Sequence, residues 1–378
     1  MSVAYYLAAA LITAAGIYTA RRCRATPSPA LRAFTATLFL IAAAFLLLAN
    51  GTRPLIDKAI GIPCIARWAG HTLTLAAAAG LNIMLACFAR RPDDEPPRKA
   101  PHVSVIAVSS AVMATLILGT PDHDDFVDVY ATRGDVTAYL MIYLVSLGVT
   151  MSVTMVSGIR YTTRTTGWLR AGMKLVVTGA AFGVAYSLYK TAVVAAHHNG
   201  HTLGTESIIG PTLGLACALL LTIGTTLGSW APSLSAAVRR AVLYQRIAPL
   251  HKALSNAFPE VQLNVDVSDR RERLDRRVVE IHDGLLRLRP WSDPLHRAAT
   301  HAGMIHEHDC AAVEALVIYQ ALQARANGEP PAALHTDRPT WASTTDLEAE
   351  AARLARIARA FVNPPAHIAF SESTLHTR

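Results

Sequence analysis

Seven apolar runs of about twenty residues fill the first 230 positions, and a mostly polar segment of about 150 residues follows. The runs are Val3–Ala20, Ala33–Ala49, Trp68–Ala89, Val103–Gly119, Val136–Ile159, Ala171–Ala196 and Ser207–Ala231. A helix rises about 1.5 Å per residue, so each run is long enough to cross a hydrocarbon layer of about 30 Å. Six of the seven hold no Asp, Glu, Lys or Arg. The pattern predicts an all-α protein, with a seven-transmembrane-helix bundle at 1–231 and a cytoplasmic helical domain at 232–378.

The polar segment changes period. Leu274, Val278, Ile281, Leu285 and Leu288 recur at spacings of four and three, which predicts one amphipathic helix from Asp269 to before Pro290. A helix over Leu234–Ala257 is expected before it, leaving the membrane as a continuation of the seventh span, turned by Pro232 and interrupted by Pro249. The alternation Val261, Leu263, Val265, Val267 fits an extended stretch. A third helix is expected from Asp293 and Pro294 to Ala326. A fourth opens at the capping box around Thr345 and Glu348, with Leu347, Leu354, Ile357 and Phe361 on its buried face.

Charge refines this picture. Residues 1–229 carry 17 Lys and Arg against 10 Asp and Glu, whereas the remainder carries 18 against 17. The basic excess therefore belongs to the membrane half and is explained by topology, not by a nucleic-acid partner. Arg21, Arg22, Arg24, Arg90, Arg91, Arg98, Lys99, Arg160, Arg164 and Arg170 fall in one set of alternate connections, which the tail joins with Arg239 and Arg240. The other set holds Arg53, Lys58, Arg67 and Arg133. The bias predicts an N-terminus outside and a cytoplasmic tail, in a multi-pass cell-membrane protein. Arg21 to Arg24 follow the first run instead of preceding it, so a retained helix is expected instead of a cleaved signal.

Few polar groups enter the spans. Lys190, His71 and Asn82 do, and Glu206 opens the seventh span. A cation in lipid needs a partner, which makes Lys190 and Glu206 a candidate pair. Gly179 and Gly183, Gly210 and Gly214, and Gly224 and Gly228 are each four apart. Such faces suit the packing of spans six and seven on each other, or a homodimer seam. Two outer connections carry potential ligands for a metal or a pH switch: Asp122, Asp124, Asp125 and Asp128 in one, His197, His198 and His201 in the other. The five cysteines, at 23, 64, 87, 217 and 310, show no paired spacing, and no disulfide framework is expected.

In the tail, Arg276 and Arg277 precede Glu280 by four and three positions, within reach of local ion pairs. Together with Asp283 they are the candidate contacts for a cytoplasmic protein partner. His306 and Cys310 share a helix spacing, and His282–Asp283 and His308–Asp309 are HD dipeptides without the wider ligand set of HD phosphohydrolases. No phosphate loop, dinucleotide fingerprint or nucleophile elbow occurs in the tail, and neither enzyme activity nor a cofactor is expected.

The runs RRVVEIHDGLLRLRPW (Arg276–Trp291) and DLEAEAARLARIARAF (Asp346–Phe361), placed behind seven spans, resemble a family of actinobacterial integral membrane proteins with a C-terminal domain of unknown function. His282 departs from the family, which has Arg in that slot. The family carries a transporter label, so the resemblance implies a membrane transporter or facilitator for a small solute. The residues themselves favour a sensor or regulatory scaffold.

Overall fold

The computed structural model describes residues 2–26, 28–89, 100–123, 126–130, 132–201, 206–262, 269–301, 310–332 and 346–363. Among them the chain is all-α, with no strand. It divides into two compact units, Met1–Ala231 and Pro232–Arg378.

The first unit holds α1 (Ser2–Ala25), α2 (Pro29–Leu48), α3 (Arg53–Ile60), α4 (Ile65–Ala89), α5 (Ala100–Ile117), α6 (Phe126–Tyr130), α7 (Gly134–Thr162) and α8 (Gly167–His198). The division between units falls within α9 (Glu206–Arg246). Six of these helices, α1, α2, α4, α7, α8 and α9, are long and apolar enough to cross a membrane. The expected fourth span, α5, is the exception: its apolar stretch Val103–Ile117 is shorter than the others. These six helices make the chain a multi-pass membrane protein by length and composition.

Local chemistry sets the helix ends. Ser28 accepts from the N–H of Leu31 at 3.1 Å, and Pro29 supplies a first-turn residue that needs no donor. α3 stops at Gly61, whose φ of 75° reaches the left-handed region. Cys64 also has positive φ, 58°, an uncommon state for a residue with a Cβ. Asp57 holds that turn by accepting from the N–H groups of Cys64 at 2.9 Å and Ala66 at 2.8 Å, which caps α4 from α3.

α2 packs along α4 and α1, and α7 packs along α8 and α4. α8 and α9 meet through glycine. A Cβ on Gly172 would lie 2.5 Å from the carbonyl oxygen of Gly224, and one on Gly224 would lie 2.8 Å from the backbone nitrogen of Val176. The small-residue faces thus have an occupant within the chain.

The second unit contains α10 (Ala248–Ala257), α11 (Arg270–His301), α12 (Cys310–Ala326) and α13 (Leu347–Val362). Leu274, Val278, Ile281, Leu285 and Leu288 form the inner face of α11 and bury with Leu250 and Leu254 of α10, Ile318 of α12, and Leu354 and Ile357 of α13. These residues form one apolar cluster, and Val313 and Val317 of α12 form a smaller one with Leu295 of α11.

Several expected boundaries differ. The seventh span does continue into the tail through Pro232, as α9, and the expected interruption near Pro249 is the start of α10 at Ala248, with Pro249 in its first turn, where a missing N–H costs little. Pro259–Val261 is a 3₁₀ turn, while 263–268, the rest of the expected extended stretch, lies outside the described residues. α11 runs through Pro290 and Pro294 to His301 instead of breaking before Pro290. Pro294 cannot donate to the carbonyl of Pro290 four residues back, and the N–H of Ala332 takes that acceptor at 3.1 Å. Asp346, not Thr345, caps α13 by accepting from the N–H of Glu348 at 3.0 Å; Thr345 lies outside the described residues. Leu347 is exposed instead of buried.

Candidate functional site

Three polar groupings and a cavity stand out among the described residues of the membrane unit. The first is ionic. Asp122 accepts from Nε and Nη2 of Arg67 at 2.9 and 2.7 Å, and Arg53 approaches it at 3.4 Å. Arg67 also donates to the His123 carbonyl at 2.9 Å, and its guanidinium lies 4.2 Å from the Phe126 ring centre. Arg53 is 3% exposed and donates to Asn50 at 2.9 Å. The Cys64 thiol donates to Asp122 at 3.7 Å; burial and the neighbouring Asp122 charge push it up to about 12, so it stays protonated. This grouping ties α3 and α4 to the segment before α6, as a cross-brace of largely buried opposite charges.

The second grouping lies one turn along α4 from Arg67. His71 Nδ1 and the Tyr139 hydroxyl share a hydrogen bond of 2.6 Å, and the His71 ring stacks on Tyr143 at 3.9 Å with the planes 9° apart. The third joins the same helices further along. Asn82 donates to the Thr150 carbonyl at 3.2 Å and accepts from the Thr154 hydroxyl at 2.9 Å. His71 and Asn82 therefore serve helix-to-helix hydrogen bonds between α4 and α7.

The cavity, about 130 Å³ in volume, lies among α1, α2, α4, α7, α8 and α9. Ala44, Ala77, Ala78, Gly183, Gly214 and Ala218 are the small residues of its wall. Tyr5, Thr74, Tyr143, Tyr186 and Cys217 bring its polar atoms, and none of the described residues lining it is charged.

Of the other predicted membrane residues, those whose side chains are described do not line the cavity. Lys190 lies one turn beyond Tyr186, with Cε placed where a Cβ on Gly210 would be 2.7 Å away. His197 is buried and bonds the Val193 carbonyl through Nδ1 at 2.9 Å, whereas His198 and His201 are exposed. Asp124 and Asp125 lie outside the described residues, as do the side chains of Asp128 and Glu206. Asp122 is taken by arginines, so the acidic loop and the histidine loop are not brought together at that residue. Among the described residues no three His, Cys, Asp or Glu side chains converge as a metal site.

The tail centres on two buried glutamates. Glu280 bonds Nε2 of His251 from α10 at 2.7 Å and accepts from Arg276 at 2.8 Å. Glu350 meets Nε2 of His282 at 3.1 Å and Arg353 at 2.8 Å, and Arg353 reaches on to Glu314 at 2.7 Å. Each cluster joins helices that the apolar core alone would leave free to slide. Ser255 completes a suggestive trio with His251 and Glu280. It contacts the same nitrogen as the glutamate, at 3.3 Å, whereas a nucleophile relay uses both ring nitrogens. Arg277 turns away from Glu280, stacks 3.5 Å over Tyr244 and donates to its carbonyl and hydroxyl at 2.9 and 2.7 Å. Asp283 is half-buried on α11. His306, His308 and Asp309 lie outside the described residues, as does the side chain of Cys310.

Sequence reading missed the Arg53–Arg67–Asp122 brace because it counted those arginines as loop charges. It missed His251 and Glu350 because their partners arrive from other helices. A visible signal was present in Glu350: a carboxylate between Ala349 and Ala351, on the same helical stripe as Leu354 and Ile357.

No curated protein and no solved structure matches the chain. A family described only as a family of unknown function (DUF6545) matches residues 236–364, which supports the expected C-terminal domain of unknown function and places α10 to α13 inside the matched region.

Proposed function

We propose that this chain is a membrane sensor or regulatory scaffold, without enzyme activity, whose membrane unit receives a signal and whose tail holds a cytoplasmic protein partner. In this reading α5 is a seventh crossing, the N-terminus is outside, and the sides follow the Lys and Arg bias of the connections. α9, which supplies residues to both units, carries the coupling.

The observation that supports a sensor over a solute path is how the buried polar groups are used. His71 is engaged with Tyr139, and Asn82 with Thr150 and Thr154. Ser187, Thr222 and Thr226, all buried, each donate to the carbonyl four residues back, which turns their hydroxyls onto their own helices. These hydroxyls are spent on backbone and do not line a route for a hydrated solute.

The test compares the intact protein with a chain ending at Ala231, both purified in mild detergent, with co-purifying proteins identified by mass spectrometry. The reading expects a protein retained by the intact chain and lost on truncation. Identical sets would overturn it. Saturable flux of a small solute in proteoliposomes would instead establish the transporter alternative. Sidedness is read from Cys23: in a variant retaining only that cysteine, a membrane-impermeant maleimide should label it only after the membrane is opened.

A further inference from the structure

The cavity among the spans has a size, a wall and a set of polar atoms, and together these define a class of occupant. Its volume of about 130 Å³ is close to that of an apolar protein cavity of about 150 Å³ that takes up benzene. Its wall is mainly Leu, Ile, Phe, Met and Ala, which gives a hydrated ion nothing to replace its water shell. Its tyrosines, Tyr5, Tyr143 and Tyr186, come from three different helices, while the Thr74 hydroxyl donates to the Gly70 carbonyl at 2.8 Å.

The space is held open. The Tyr143 ring is stacked against His71, itself bonded to Tyr139, so it does not swing inward. Gly183 lets Met151 and Cys217 close the wall, since a Cβ there would sit 2.7 Å from Met151 Cγ and 3.0 Å from Cys217 Sγ. An empty apolar cavity forfeits dispersion contacts along its whole wall, so a fitting occupant is stabilising.

We propose that this cavity is a binding site for a small neutral molecule made of one apolar ring or short branched chain with a single hydroxyl or carbonyl group, entering from the lipid phase. The apolar body fills the space beside Ala44, Ala78 and Ala218, and the polar group pairs with the hydroxyls of Tyr143 and Tyr186. The proposal rests on the sensor reading for its purpose and not for its test, which reads binding alone. Loss of a tail partner and loss of cavity binding are therefore separate results.

The intact protein in detergent is titrated with 4-fluorophenol and with fluorobenzene, and binding is followed by fluorine NMR. Saturable binding of 4-fluorophenol, tighter than that of fluorobenzene, is expected. Ala78→Leu should weaken it at least tenfold by filling the space; Ala218→Val replaces that variant if its helicity or elution changes. Tyr143→Phe with Tyr186→Phe should abolish the preference for the phenol and leave fluorobenzene binding in place. The proposal is overturned if neither probe saturates, as when an acyl chain fills the cavity, or if a folded, space-filling variant binds as well as the parent.

Discussion

His71 and Tyr139 are 68 positions apart in the chain and share a hydrogen bond of 2.6 Å inside the membrane unit. Tyr139 is fully buried and His71 nearly so. Removing the phenol hydroxyl leaves an imidazole nitrogen buried without its partner, which costs about 1–3 kcal/mol. Tyr139→Phe should therefore lower the thermal midpoint of the purified protein. His71→Phe combined with Tyr139→Phe should cost less than the two single changes added together, because the second change removes the group that the first orphans. Additive losses would show that the pair is not coupled.

The Asp122 brace makes a stronger demand. Breaking a buried ion pair by deleting one side costs about 3–5 kcal/mol, since the remaining charge has no solvent. Asp122→Ala should reach that range, because it strips both Arg53 and Arg67 of their carboxylate. Arg67→Lys keeps the charge but not the two-pronged contact through Nε and Nη2, and should recover only part of the stability. Calorimetry on the three proteins ranks them; a lysine variant equal to the parent would refute the geometric requirement.

Two glycines on the α8–α9 seam should respond oppositely. Gly172→Ala would set a methyl group 2.5 Å from a carbonyl oxygen and must push the helices apart, at a cost of about 1–3 kcal/mol. Gly228→Ala meets nothing nearer than a flexible Leu169 methyl at 3.4 Å and should stay within about 0.5 kcal/mol of the parent. Thermal unfolding of the two variants side by side is the measurement, and equal losses would contradict the seam.

Glu314 gives the tail a pH signature. Burial raises its pKa above the ordinary glutamate value, against the opposing pull of Arg353. Within that window the folded tail binds more protons than the unfolded one, so this group's contribution to stability rises as pH falls from the raised value toward the ordinary one. Glu314→Gln removes that slope. The parent should gain on the variant between pH 7 and pH 5, in unfolding scans of the intact protein. At pH 7 the difference should be small, because Arg353 keeps Glu350 at 2.8 Å. A gain in the opposite direction would rule the assignment out.

Much of the architecture was legible because lipid and water impose simple rules. Long apolar runs produced α1, α2, α4, α7, α8 and α9, and the four-three spacing from Leu274 to Leu288 produced the buried face of α11. Prolines were the main source of error. Pro290 ordinarily ends a helix, but here the freed Pro290 carbonyl finds Ala332, and Trp291 Nε1 donates to the Glu329 carbonyl at 2.9 Å. Those partners, one donor and one acceptor, come from a distant segment, and no local rule reveals them. The same holds at Glu280: spacing placed Arg276 and Arg277 near it, yet only Arg276 bonds there in the structure, while His251 comes from another helix. The left-handed turn at Cys64 was invisible because glycine or asparagine, the usual markers, are absent at that position.

At Gly172 and Gly224 the main chains of two helices touch with no side chain between them. Neither glycine has a rotamer whose change could relieve that contact. A shift of α8 at Gly172 would press directly on the backbone of α9 at Gly224.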